Sequence, residues 1–97
     1  MKRPDIFNKY KHAIVKILKT YHIQQAALFG SFARGENNKN SDVDLLIKTN
    51  GKMTLFLLFQ MQEDMEKIIS RKVDIVEYDA IKPSIKERIL NEAIPIL

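Results

Sequence analysis

The chain contains no cysteine among its 97 residues, so it can form neither a disulfide nor a zinc site built on thiolates. No apolar run is long enough to cross a lipid bilayer. The first residues, which include Lys2, Arg3 and Asp5, lack the apolar core of a signal peptide. These absences favour a cytoplasmic protein that makes no contact with a membrane.

Charge of one sign is not concentrated in any part of the chain. The formal net charge is +4, which favours anionic ligands, but the Lys and Arg residues are scattered through segments of mixed sign. The sequence has no basic run and no basic stretch interleaved with aromatic side chains. We therefore do not expect direct binding of nucleic acid.

Alternating apolar patterns predict one α/β domain over residues 1–97. Helices are expected at about 5–21, 31–34 and 54–70, and a last helix opens at a Ser84/Glu87 capping box with an apolar face that reaches Ile94. Short apolar, β-branched runs predict strands at 26–29, 43–47 and 72–77. The expected order is αβαβαβα, with no internal repeat and no linker.

Apolar residues at helical spacing form the expected core stripe of the third helix: Leu58, Met61, Met65, Ile68 and Ile69. The start of this helix is unusual. Residues 55–59 are apolar through more than a full turn, so they cannot all face one core. Either a neighbouring element covers them, or part of this segment is exposed and marks an interface. In a domain of this size we expect the interface.

Two aspartates one residue apart, Asp42 and Asp44, stand at the start of the second expected strand. Alternate residues of a strand point to the same face, so the two carboxylates project together. Paired carboxylates suit Mg²⁺, and two such ions can clamp the attacking and leaving oxygens of an in-line displacement. The alternative is a pair of ordinary turn residues, with Asp42 bonded to its own backbone.

A Gly-Ser pair, Gly30 and Ser31, ends the first expected strand. Glycine lets the backbone approach a ligand closely, and Ser31 at the start of a short helix can donate hydrogen bonds to phosphate oxygens. Alone, the pair is equally an ordinary turn with Ser31 as the helix N-cap. Because Arg34-Gly35, a polar loop and Ser-Asp-x-Asp follow it, the pair predicts a site for a nucleoside triphosphate and its metal ions.

Two further charged residues are candidates for this site. Asp74 stands in an apolar strand, where a metal ion or a cationic partner would relieve the cost of burying its charge. It can join the metal cluster or accept the proton of an attacking hydroxyl; the alternative is an edge position that faces water. The fork of Arg34 suits a phosphate, and its alternative is an ion pair with Glu36 or another surface acid.

Three segments together resemble the minimal nucleotidyltransferases (MNT) of the DNA polymerase β-like superfamily: 30–35 (GSFARG), 41–47 (SDVDLLI) and 72–76 (KVDIV). The resemblance implies the nucleotidyltransferase fold, a three-stranded mixed sheet flanked by helices. It implies that Gly30 and Ser31 contact the triphosphate. It also implies that Asp42 and Asp44 bind Mg²⁺, as two ions, and that Asp74 completes the acidic triad.

Many members of this family are encoded beside a HEPN-domain protein and act as its antitoxin, and some transfer AMP from ATP to a tyrosine of that partner. The resemblance therefore implies an Mg²⁺-dependent protein adenylyltransferase with ATP as substrate, a HEPN-domain partner and a homo- or hetero-oligomeric state. Because no second domain is expected, the partner would supply half of the acceptor site. The alternatives are a binding module that neutralises its partner by occlusion and an enzyme that modifies small molecules.

Overall fold

The computed structural model describes residues 5–38 and 40–97, and the side chains of these residues from Asn8 onward. The N-terminal residues Lys2 and Arg3 lie outside the described range. The helices and strands are α1 (Asp5–Thr20), β1 (Gln25–Phe29), α2 (Gly30–Arg34), β2 (Val43–Lys48), α3 (Leu55–Ile69), β3 (Val73–Glu77), α4 (Pro83–Glu92) and β4 (Ile94–Pro95). Within the described parts of the chain, no helix is long and apolar enough to span a membrane.

The strands form one mixed sheet in the order β3-β2-β1-β4. Strands β2 and β3 are parallel, whereas β1 pairs antiparallel with both β2 and β4. The expected mixed sheet flanked by helices is confirmed, but the expected count of three strands is wrong. The fourth strand, Ile94–Pro95, occupies the sheet edge, where a proline without an N–H group is tolerated.

Side chains of the strands alternate between two hydrophobic clusters on opposite faces of the sheet. On one face, α1 and α3 bury the larger cluster, whose fully buried members include Leu18, Leu45, Ile47, Met61 and Met65. On the other face, α4 contributes Ile89 to a smaller cluster around Leu46 and Val76. Because alternate residues of a strand point to the same face, Asp44 lies on the same face as Leu46, which is the face that α4 covers.

Helix α3 follows the sequence prediction closely. Thr54 is its N-cap and accepts a hydrogen bond from the backbone N–H of Leu57 at 3.1 Å. The helix ends at Ile69, and its C-cap Ser70 has a left-handed conformation. Met61, Met65 and Ile69 of the predicted stripe are buried. Ile68 is exposed instead, so its assignment to the core was wrong.

Helix α4 departs from the prediction at both ends. It begins at Pro83, with Lys82 as N-cap and no side-chain capping bond, so the Ser84/Glu87 capping box does not open it. Proline at the first helical position already has the helical φ and needs no N–H partner. The helix ends at Glu92, and Ile94 pairs with Leu28 in the sheet instead of extending the helix. Ile89 is its only buried residue, since Ile85 and Leu90 are exposed.

Candidate active site

The register of the sheet brings two of the predicted acids together. In the parallel pair of β2 and β3, Asp44 lies opposite Asp74. In the antiparallel pair of β1 and β2, Asp44 lies opposite Phe29, the residue before Gly30. Asp42 precedes Asp44 by two residues, just before β2 begins. The strand register therefore places the Gly-Ser turn on one side of Asp44 and Asp74 on the other.

The electrostatics of the site centre on Asp44, which is half-buried. Burial raises the pKa of its carboxyl group, and the negative charges of Asp74 and Asp42 raise that pKa further. Among the causes of this shift, only the positive charge of Arg34 lowers the pKa of Asp44. A divalent cation among these acids would relieve the same repulsion.

The carboxylate oxygens at this site suit magnesium when water and phosphate oxygens complete its coordination shell. In the described part of the chain, no three His, Cys, Asp or Glu side chains converge to hold an ion by themselves. Magnesium does not need such a cage, because it usually takes one or two carboxylates and completes its shell with waters and substrate phosphates. The carboxylates of Asp42 and Asp44, with Asp74 beside them, meet that need.

The turn at Gly30 is shaped by its approach to Asp44. Gly30 has a φ of 72°, in the left-handed region that favours glycine. A Cβ atom added at Gly30 would collide with Asp44 Oδ2 and lie 3.0 Å from Asp44 Cγ. Helix α2 begins at Gly30 with Phe29 as its N-cap, so Ser31 lies inside the first turn and is not the cap.

Arg34 is held by two carboxylates. Its Nε donates to Oε1 of Glu36 at 2.7 Å, and its Nη1 donates to Oε2 of Glu92 at 3.0 Å. These hydrogen bonds, first that of Glu36 and then that of Glu92, raise the pKa of the guanidinium. The ion pair with Glu36, which the sequence left as an alternative, is formed. Contact between Arg34 and a phosphate stays a prediction, as do the roles of the other site residues.

Sequence reasoning missed Arg71, which fixes the loop before the aspartates. Its Nη1 donates to the backbone oxygens of Asn38 and Ser41, at 3.0 and 3.2 Å. Its guanidinium also lies over the ring of Phe32 in α2, 5.2 Å from the ring centroid. Arg71 thereby connects α2, the loop that leads to Asp42 and the start of β3.

Sequence reasoning also missed Glu92, the last residue of α4. Its Oε1 accepts the backbone N–H of Gly30 at 3.0 Å, across 62 residues of chain. The only local signal for either residue was a charge beside a predicted element, and many surface residues share that signal. Both contacts depend on how distant elements pack.

The mixed sheet flanked by helices, with the Gly30 turn beside Asp44, is the fold of a nucleotidyltransferase. A solved structure described as a minimal nucleotidyltransferase is similar to this chain with a TM-score of 0.84 and 29% identity, and the match covers 97% of this chain and 96% of the other. Residues 12–97 match the family described as Polymerase beta, Nucleotidyltransferase. The chain belongs to this family and is a nucleotidyltransferase, as the sequence predicted.

Other relatives are described in terms of adenylyl transfer. A Methanocaldococcus jannaschii protein named as a protein adenylyltransferase is 36% identical over 90 residues, which are 93% of this chain and 97% of the relative. A solved structure of a tri-AMPylated Shewanella oneidensis HEPN toxin in complex with an MNT antitoxin matches at 14% identity and a TM-score of 0.73, over 93% of this chain and 71% of the other. At that identity the second match shows a common fold.

The collision at Gly30 predicts that alanine is tolerated there less well than at Gly35. Both glycines have a φ of 72°, but nothing lies within 4 Å of a Cβ atom added at Gly35. Gly35→Ala should therefore lower the free energy of unfolding only by the cost of a left-handed conformation for alanine, roughly 1–2 kcal/mol. In urea denaturation, Gly30→Ala should lower the free energy of unfolding by about 1 kcal/mol more than Gly35→Ala does, because Asp44 must move. Equal losses would show that the approach to Asp44 is not tight.

The repulsion at Asp44 predicts that Asp44→Asn does not lower the stability of the fold at pH 7. A pKa that is raised in the folded state means that stability is full below the unfolded pKa and falls as pH rises through the folded pKa. We expect the variant to melt a few degrees above wild type at pH 7, and the difference to disappear in acid. Asp79→Asn, at an exposed aspartate, is the matched control. A lower melting temperature for Asp44→Asn at pH 7 would contradict this view of the site.

Proposed function

We propose that this protein is an Mg²⁺-dependent adenylyltransferase that moves AMP from ATP to a tyrosine of a HEPN-domain toxin and thereby acts as its antitoxin. The observation that carries the proposal is the position of Asp44 between Asp74 and the Gly30 turn. Membership of the nucleotidyltransferase family supports transfer of a nucleotidyl group. The name of the 36%-identical relative supports AMP as that group and a protein as its acceptor.

The residues of the site would divide the work of binding. Gly30 and Ser31 would hold the triphosphate, since a glycine turn lets phosphate approach the backbone and Ser31 can donate hydrogen bonds. Asp42 and Asp44 would hold the magnesium ions, with Asp74 as the third acid. The ions would neutralise charge on the phosphates in the transition state.

The reaction itself would need little covalent chemistry from the protein. The tyrosine oxygen forms a bond to the α-phosphorus, the bond from that phosphorus to the bridging oxygen breaks, and pyrophosphate leaves. The hydroxyl proton passes to the carboxylate of Asp74, which lies beside Asp44 and is half-buried. Catalysis is then mostly positioning and charge neutralisation.

The first turns of α3 offer a surface for the partner. Leu55, Phe56 and Phe59 are 68%, 75% and 59% exposed, so the neighbouring elements in the described structure do not cover them. Adjacent exposed aromatic and aliphatic side chains are typical of a protein interface. We assign this α3 patch, residues 55, 56 and 59, to the HEPN-domain partner. In this view residues 1–97 act as one domain within a hetero-oligomer, and the partner completes the acceptor site.

Transfer can be tested with the full chain, labelled ATP, Mg²⁺ and a co-purified HEPN-domain protein of the same genome. We expect intact mass measurement to show addition of AMP to the partner, and chelation of divalent cations to abolish it. Asp44→Asn should slow transfer by at least about 100-fold, because it weakens the metal site. Asp79→Asn should not.

Two outcomes would contradict the proposal in different ways. Full-rate transfer by Asp44→Asn would show that this carboxylate does not hold the metal. If the variant with Asn at positions 42, 44 and 74 silenced the partner as well as the wild type does, occlusion would be the physiological activity.

The α3 patch can be tested apart from the chemistry. Phe56→Ser and Phe59→Ser should each weaken association with the HEPN-domain protein by roughly tenfold or more, as expected for aromatic interface anchors. Gln60→Ser, at an exposed neighbour on the same helix, is the control. The melting temperature of the isolated chain should not fall in any of the three variants. Wild-type affinity in both Phe variants would place the partner on another surface.

A further inference from the structure

Glu92 makes its contacts at the Gly-Ser turn, far from its own place in the sequence. Its Oε1 accepts the N–H of Gly30 at 3.0 Å. Its two carboxylate oxygens also accept from Nη1 of Arg34, at 3.0 and 3.3 Å. The side chain of Glu92 is 18% exposed and that of Arg34 is 45% exposed, so water reaches this ion pair mainly from the Arg34 side. One carboxylate thus connects the end of α4 to both ends of α2.

This carboxylate is charged at neutral pH in spite of its position. Burial alone would raise the pKa of Glu92, but the hydrogen bonds from Arg34 and the Gly30 N–H, together with the positive charges of Arg34 and Arg88, lower it overall. The same negative charge raises the pKa of Asp44, so Glu92 adds to the repulsion within the acidic site. The contact therefore has an electrostatic cost that a neutral side chain at this position would avoid.

The two contacts of Gly30 restrict a residue that is otherwise free to turn. Asp44 packs against the side where a Cβ atom would stand, and Glu92 holds the N–H. Glycine can adopt many backbone conformations, so these contacts select one of them. The selected conformation fixes the direction of Ser31 relative to Asp44. Any phosphate-binding group of the turn thereby acquires a fixed place beside the acids.

We propose that Glu92 is a positioning residue of the transferase site, which acts through Gly30 and Arg34 and does not itself touch the nucleotide. It orients the turn so that Ser31 and the backbone of α2 meet the triphosphate at the correct distance from Asp44. The identity of the ligand rests on the proposed function. The contact between Glu92 and Gly30 does not, so the two can be tested separately.

The test compares Glu92→Ala, Glu92→Gln and Glu87→Ala in the full chain. The Kd for ATP with Mg²⁺ is measured by calorimetry, and the Gly30 amide resonance by ¹⁵N NMR. Glu92→Ala should weaken binding by roughly tenfold, the effect of one charge-assisted hydrogen bond, and should shift the Gly30 resonance. Glu92→Gln keeps an oxygen that can accept the Gly30 N–H, so it should restore most of both properties. Glu87→Ala, at an exposed carboxylate of the same helix, should match wild type.

Several results would overturn the proposal. Tighter ATP binding in Glu92→Ala would mean that Glu92 competes with the phosphates for Arg34 and Gly30. Unchanged binding in Glu92→Ala, or a Glu92→Gln variant as weak as Glu92→Ala, would show that the contact with Gly30 does not position the turn. If Glu92→Ala does not fold, Glu92→Asp takes its place with the same expectation, because it keeps the charge and loses the reach.

Failure of the proposed function would look different from failure of this inference. If the wild type bound no ATP with Mg²⁺ while the Gly30 resonance still shifted in Glu92→Ala and recovered in Glu92→Gln, the proposed substrate would be wrong and the positioning contact would stand. An unshifted resonance in Glu92→Ala would remove the contact itself.

Discussion

The charge on Asp44 is the constraint around which this fold is arranged. Partial burial and the neighbouring acids disfavour that charge, yet the strand register holds Asp44 beside Asp74. Strand β2 can keep it there because its other face is anchored by the fully buried side chains of Leu45 and Ile47. The large cluster under α1 and α3 thus stabilises a sheet whose opposite face carries mutually repelling groups. Functional sites often conflict with stability in this way.

Much of the fold could be predicted from local pattern, because each long element has a strong period of its own. Helix α3 carries its own cap and core stripe, and the strands are short apolar runs between turns. The fourth strand could not be predicted, because Ile94–Pro95 is too short to have a period and becomes a strand only by pairing with β1. The start of α4 was misplaced because Pro83 at the first helical position took over from the capping box at Ser84.

The residues of the candidate site likewise fall into those that could be predicted from the sequence and those that could not. Gly30, Ser31 and the Asp42/Asp44 pair were recognisable because each motif is contiguous in the sequence and its spacing has a chemical meaning. Glu92 and Arg71 were not recognisable, since their contacts span 62 and at least 30 residues. For Arg34 the sequence named a nearby partner, Glu36, and the structure added Glu92, a distant one that also contacts Gly30. Local pattern thus identified the candidate groups for chemistry, and only tertiary packing revealed the residues that contact them.

The hydrogen bond between Gly30 and Glu92 also bears on the order in which the protein is made. When β1 and α2 have just emerged from the ribosome, the Gly-Ser turn is present but Glu92, which restrains it, has not yet been synthesised. Closing a segment of about sixty residues is entropically costly and comes after local elements have formed. The Gly-Ser turn therefore reaches its final geometry only after α4 has emerged and docked. A nascent chain that has acquired all three aspartates still lacks an ordered site.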